Sequence, residues 1–152
     1  MGTPARRRFI SVLAGLAAAP LWPVRVARAQ ADPLGPLIRK LTGGAPVNRG
    51  RVTVDTPRLA DNGHSVPLAV SVASPMTATD HVRSITLLSE RNPRPVMATY
   101  HLGPRAGRAE ISTRVRLNGT QRVLAIAQLS DGSYWSGSAE VEVTESACLD
   151  AS

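Results

Sequence analysis

Cys148 is the one cysteine of the chain, four residues from the C-terminus in the stretch EVEVTESACLDAS. A thiol in a protein interior usually packs as a small hydrophobe. Here Glu145 and Asp150 flank the position, and a core cannot take them in without stranding charge. The pattern predicts an exposed sulfur. One thiol cannot close a disulfide within its own chain, which leaves an intermolecular bond, a covalent adduct or a reactive nucleophile. The competing reading is a chance cysteine on a frayed terminus. Cysteine catalysis needs a positioned base, and the tail ESACLDAS holds no histidine, so an enzyme with a catalytic thiol is the least favoured class.

The other residues able to do chemistry do not cluster. His64, His81 and His101 fall in a turn, beside Asp80 and on a strand, without the short spacing of a metal site, so no metal and no cofactor is expected. GxSxG, HExxH and a phosphate-cradling glycine loop are all missing from the sequence. Asn118-Gly119-Thr120 fits a glycosylation sequon, but a hairpin turn accounts for it equally well.

The N-terminus sets the compartment. Arg6, Arg7 and Arg8 precede Phe9 and Ile10, then the apolar run VLAGLAAAPLW, then Ala27-Arg28-Ala29. A charged region, an apolar region and a small-x-small cleavage site make an export signal, and the paired arginines predict the twin-arginine route to the periplasm. The apolar run is interrupted by Pro20 and Pro23 and closed by Arg25, whereas a bilayer span needs about 20 residues. Cleavage leaves about 121 residues, one domain by length. The formal charge of +7 shrinks with it, because five of the eighteen basic residues lie in the leader and thirteen remain against eleven acids. No basic stretch or aromatic stacking surface survives, so neither nucleic acid nor, after cleavage, a membrane is an expected partner.

Two periodicities describe the elements that must position the thiol. PLGPLIRKLTGG predicts a short helix over Pro36–Leu41, stopped by Gly43 and Gly44. From Arg51 onward the period is two: Val66, Leu68, Val70 and Val72 alternate with polar or small residues, as do Ile111, Thr113 and Val115, and Val141 and Val143. Seven strands follow, in RVTVD, VPLAVSVAS, VRSITLLSE, PVMATYHL, AEISTRVRL, QRVLAIAQLS and SYWSGSAEVEVT. Asp61-Asn62-Gly63, Arg91-Asn92-Pro93, Gly103-Pro104, Asn118-Gly119 and Asp131-Gly132 supply the turns between them. The fold class expected is all-β, an immunoglobulin-like antiparallel β-sandwich of about seven strands with a short N-terminal helix. Its domain plan is a leader at 1–29, helix and linker at 30–50, sandwich at 51–144 and a C-terminal arm at 145–152.

The stretches DNGHSVPLAVSVASPMT, SERNPRPVMATYHLGPRAGRAEISTRVRL and TQRVLAIAQLSDGSYWSGSAEVEVT, together with the twin-arginine leader, resemble SoxY, the carrier subunit of the periplasmic Sox sulfur-oxidation system. The turn and strand beginning at Asn92-Pro93-Arg94-Pro95 and the hairpin QLSDGS carry the more specific part of the likeness. The resemblance implies a sandwich that pairs with a second one, SoxZ, and offers a C-terminal cysteine on a swinging arm. On that arm the cytochrome SoxAX attaches thiosulfate, and SoxB and a sulfur dehydrogenase work on the adduct, while the carrier itself catalyses nothing. By position the attachment residue is Cys148, and Glu145, Ser146, Ala147, Leu149 and Asp150 form the arm. The family arm is GGCGG, whereas this chain reads SACLDAS, which makes the arm stiffer, wider and more acidic. The reading from a different class is an assembly module of a periplasmic redox complex in which the cysteine is incidental.

Overall fold

The computed structural model describes residues 32–146. Strict alternation of apolar and polar residues allows one face of a strand to be buried, and nine strands form among the described residues. They are β1 (Val47–Arg49), β2 (Val52–Asp55), β3 (Leu59–Asn62), β4 (Val66–Val72), β5 (Val82–Ser89), β6 (Val96–His101), β7 (Glu110–Val115), β8 (Gln121–Leu129) and β9 (Tyr134–Glu145). One helix, α1 (Gly35–Thr42), and a single 3-10 turn at Pro104–Ala106 complete the elements of the described residues. A six-stranded sheet runs β1-β9-β8-β5-β6, with β3 also on β9, and a three-stranded sheet runs β2-β4-β7.

The inward faces of the two sheets make the main core. Val66, Leu68 and Val70 from β4 meet Ile85 and Leu87 from β5 and Val123 from β8, all fully or almost fully buried. The expected all-β two-layer architecture is what the chain adopts, with all seven anticipated strands in place. Two short strands are additional. β1, in the segment read as a linker, and β3, across the residues read as a turn, each lie parallel against β9, at Tyr134–Ser136 and at Glu142–Glu145 respectively. Strands of three and four residues leave too few alternations to be seen in a sequence.

Between β1 and β3 the chain crosses to the other sheet as β2 and returns. That crossing brings the β2 backbone down on the inward face of β9 at Gly137, which sits opposite Ala125. A Cβ at residue 137 would stand 2.2 Å from the Val52 carbonyl oxygen. Glycine there lets the two sheets close on this side.

The helix seals a second, smaller core on the outer face of the large sheet. Leu88, Leu124 and Ile126 point away from the sandwich and are covered by Leu34, Leu37 and Ile38. β8 is therefore buried on both faces, which is why it reads VLAIAQL, an almost unbroken apolar run. The helix begins one residue before the expected span and ends one after it, with Gly43 at φ 62° and Gly44 N–H donating to the Arg39 carbonyl at 2.9 Å. Asp32 ties its start to the sheet, accepting from Leu34 N–H at 3.1 Å and from Arg122 of β8 at 2.8 Å.

At the β8–β9 hairpin the sequence SDGS does what its residue types suggest. Asp131 accepts the Ser133 N–H at 2.8 Å, and Gly132 takes φ 84°. Hydrogen bonds from the Ser133 hydroxyl and N–H, with a smaller contribution from the Arg51 charge, hold the Asp131 carboxyl below its usual range. Arg51 itself lies 4.9 Å over the Trp135 ring.

The Gly137 contact gives the fold its sharpest test. Gly137→Ala forces backbone apart and lowers stability by about 2–3 kcal/mol in chemical denaturation, whereas the exposed neighbour Ser138→Ala stays within about 0.5 kcal/mol.

Candidate functional site: the loop end where the arm begins

β9 carries the C-terminal segment, and its twelve residues span about 36 Å at the usual rise per residue. The SDGS hairpin lies at one end of that strand, and the arm leaves from the other. Three loops surround the departure point: Gly63–Ser65 between β3 and β4, Glu90–Pro95 between β5 and β6, and Arg116–Thr120 between β7 and β8. The two specific sequence features of the family likeness thus sit at opposite ends of the molecule, and only Asn92-Pro93-Arg94-Pro95 is beside the arm.

The last residues of β9 are held from both flanks. Val143 N–H donates to Thr120 Oγ1 at 2.9 Å. The Glu145 carbonyl accepts Gly63 N–H at 2.7 Å, and the Gly63 carbonyl in turn accepts Leu117 N–H at 2.8 Å. Glu145 pairs with Asn62 as the final residue of the strand, so this residue, expected to open the arm, belongs to the sandwich. Ser146 follows the strand and is the last residue described.

Beneath the departure point lies a buried amide. Gln121 occupies an inward position of β8, in register with Val123 and Ala125, and is 5 % exposed. A polar group there is costly unless every bond is met. Its Oε1 accepts from the Ser89 hydroxyl and from Arg91 N–H, the latter at 3.0 Å. Its Nε2 donates to the Gly119 carbonyl at 3.2 Å and to Asn92 Oδ1 at 3.3 Å. Asn92 extends the network, accepting Asn118 N–H at 2.9 Å and donating to the Arg116 carbonyl at 2.8 Å. Among the described residues no buried side-chain polar atom is left without a partner. One glutamine and one asparagine thus lock the β5–β6 loop to the β7–β8 loop.

Gly119 forms the notch in which the arm begins. Its φ is 83°, and a Cβ built on it would stand 3.0 Å from Ser146 Oγ and 3.7 Å from an Arg91 guanidinium nitrogen. Ser146 and Arg91 therefore flank the same point. Arg91 is itself fixed, donating to the Thr120 carbonyl at 3.0 Å. The exposed Arg94 and Arg116 lie in the same two loops. The arm leaves beside a guanidinium, an electrostatic setting opposite to that suggested by Glu145 alone.

Ala147, Cys148, Leu149 and Asp150 lie outside the described residues. His64 is exposed in the loop next to Glu145, with its N–H on Asn62 Oδ1 at 3.2 Å. His81 Nδ1 is 3.1 Å from the Thr77 carbonyl near the opposite end, and His101 is exposed at the end of β6. The three histidines are not brought together, and among the described residues no three metal-ligating side chains converge. Sequence reasoning passed over Gln121, Ser89, Arg91 and Gly119. The visible signal was Gln121, a polar residue where the period-two pattern of β8 demands an apolar one.

The sequence model of the family described as sulfur oxidation protein SoxY matches residues 38–148. The chain belongs to the SoxY family. The SoxY sulfur carrier protein from Chlorobium limicola f thiosulfatophilum is similar in structure, with 26 % identity, a TM-score of 0.63, and coverage of 75 % of this chain and 98 % of that one. This SoxY-family chain is thus a sulfur-carrier protein of the Sox system, a family typically exported. Two superoxide reductases share the fold alone. The neelaredoxin from Ignicoccus hospitalis has 18 % identity and a TM-score of 0.56, covering 62 % of this chain and 80 % of its own. A protein described as a putative superoxide reductase from Thermotoga maritima has 19 % and 0.54, covering 66 % and 89 %. No curated protein matches the chain. Among the described residues no helix is long and apolar enough to cross a membrane.

Removing the buried amide tests the locked root. Gln121→Ala strands the Ser89 hydroxyl and two backbone groups and costs about 3 kcal/mol in denaturant unfolding. Gly119→Ala costs about 1–2 kcal/mol from the positive φ alone, and Gly132→Ala at the far hairpin provides the comparison, with equal φ but no neighbour within 4 Å.

Proposed function

We propose that this protein carries a sulfur-containing group covalently on Cys148, exported through the twin-arginine pathway to the periplasm and paired there with a SoxZ-like subunit. The observation that carries this reading is where the family match stops: it runs to residue 148, the cysteine itself, two residues beyond the fixed root at Ser146. Two residues of chain span at most about 7 Å, which bounds the distance of Cys148 from Ser146.

The chemistry asked of Cys148 is that of a nucleophile and attachment point. Its thiolate sulfur bonds to the outer sulfur of thiosulfate, and the two electrons released pass to a SoxAX-like c-type cytochrome. The product is a thiosulfonate whose terminal SO3 group is anionic. Arg91 at the arm's root favours both the thiolate and that anion, offsetting Glu145 and Asp150. SoxB-like hydrolase and sulfur-dehydrogenase partners then act on the arm, and the carrier has no catalytic residue of its own. The bulk of Leu149 and the charge of Asp150 distinguish this arm from GGCGG and select partners with a wider or more basic entrance.

Cys148→Ser separates this reading from an assembly role. The variant keeps wild-type affinity for the SoxZ-like subunit and loses sulfur-dependent growth completely. Growth at the wild-type rate would overturn carriage on this residue.

A further inference from the structure

The sandwich is closed along one side and open along the other. On the closed side β1 and β3 cover the outer edge of β9, and β2 lies over β9 and β8 with its backbone on Gly137. The three-stranded sheet then places β7 on the same side as β6, and a single connection, Leu102–Ala109, joins these two edge strands.

β6 is the least covered strand in proportion to its apolar content. Four of its six residues are Val96, Met97, Ala98 and Tyr100, yet none of the six is buried, and Val96 is 39 % exposed. Ala98 and Tyr100 pair with Leu87 and Ile85 and reach the main core from its rim. The Leu102 N–H bond to the Arg83 carbonyl fixes which backbone groups face β5. By the alternation of an antiparallel ladder, the N–H and C=O groups of Thr99 and His101 face outward. Edge strands are normally protected by lysine, proline or charged residues. β7 has Glu110 and Arg114; β6 has no charged or proline residue over Val96–His101.

Charge decides what such an edge accepts. Residues 94–117 carry five arginines against one acid, whereas the rest of the described chain carries eight basic residues against nine acids. All five arginines are exposed. A second copy meeting edge to edge would bring two arginine rims together, and the rest of another copy, near neutral at eight basic residues against nine acids, offers no acidic rim to match one at the short β1 and β3 edges. The occupant must be a different protein with a free strand and an acidic rim.

We infer that β6 is the strand-addition surface for the second sandwich subunit, which pairs its own acidic-rimmed edge strand with Thr99 and His101 and seats an apolar side chain on the exposed Val96. This rests on the two-subunit reading above. It places the partner on the side away from β9, leaving the arm's root free.

Titration calorimetry of the full mature chain with the SoxZ-like subunit of the same organism tests it. Proline is tolerated at an edge position whose N–H faces solvent, so His101→Pro, at the exposed end of β6, leaves the melting temperature of the isolated chain nearly unchanged. It weakens the complex about tenfold or more, and Arg105→Glu with Arg108→Glu, in the connection between β6 and β7, weakens it further in low salt than in high. Amide exchange of the wild-type complex shows Thr99 and His101 newly protected. Wild-type binding undiminished by either variant, or protection elsewhere, overturns the β6 surface while sparing the partner. Failure of the wild-type chain to bind the subunit overturns the pairing and the surface with it. Loss of a self-dimer on His101→Pro overturns the exclusion of a second copy.

Discussion

The Gln121 side chain is the constraint on which the functional end of the molecule depends. A primary amide at an inward position of a sheet is tolerated only with its bonds made, and here the partners come from the two loops that must be brought together. Ser89 ends β5 and Arg91 lies in the β5–β6 loop, Gly119 belongs to the β7–β8 loop, and Asn92 bonds across from one loop to the other. Because leaving either amide atom unpaired costs more than the bond is worth, the network specifies one loop arrangement rather than merely stabilising several. Arg91 is positioned as a consequence, and so is the notch at Gly119. The amide thereby fixes the loops that flank the last described residues of β9.

The two sides of the sandwich divide the remaining work. Where β2 closes on β9 through Gly137, the body is sealed and its outer edge occupied by β1 and β3. At the β6 edge and in the connection to β7, core residues reach the surface and arginines collect. The helix covers the outer face of β5 and β8, so the large sheet has apolar cover on both faces. The β6 edge and the loop end beside Ser146 are thus distinct surfaces.

The sheet architecture was legible in the sequence because period-two alternation is long and clean in β4, β7 and β9. The helix was legible because Pro36 and Gly43 punctuate it. β1 and β3 were not, since three or four residues carry no periodicity and their pairing depends on where β9 runs. The limit of the arm was misplaced by one residue for the same reason: Glu145 is a strand residue because Asn62 and Gly63 meet it, and those lie more than eighty positions away. Cys148 drew attention by its isolation, whereas Gln121, Ser89 and Arg91 are ordinary residues whose importance is tertiary. Only the glutamine, out of keeping with its apolar register mates, marked the place.

The arm departs from the family's glycine-rich form, yet the body beneath it supplies a cation at the root and a fixed exit. Tryptic mass spectrometry of the protein isolated, without reducing agent, from cells actively oxidising thiosulfate addresses the central point directly. The peptide containing Cys148 should carry an added sulfur-bearing mass that is removed by reduction. An unmodified thiol on that peptide throughout active oxidation would contradict the account.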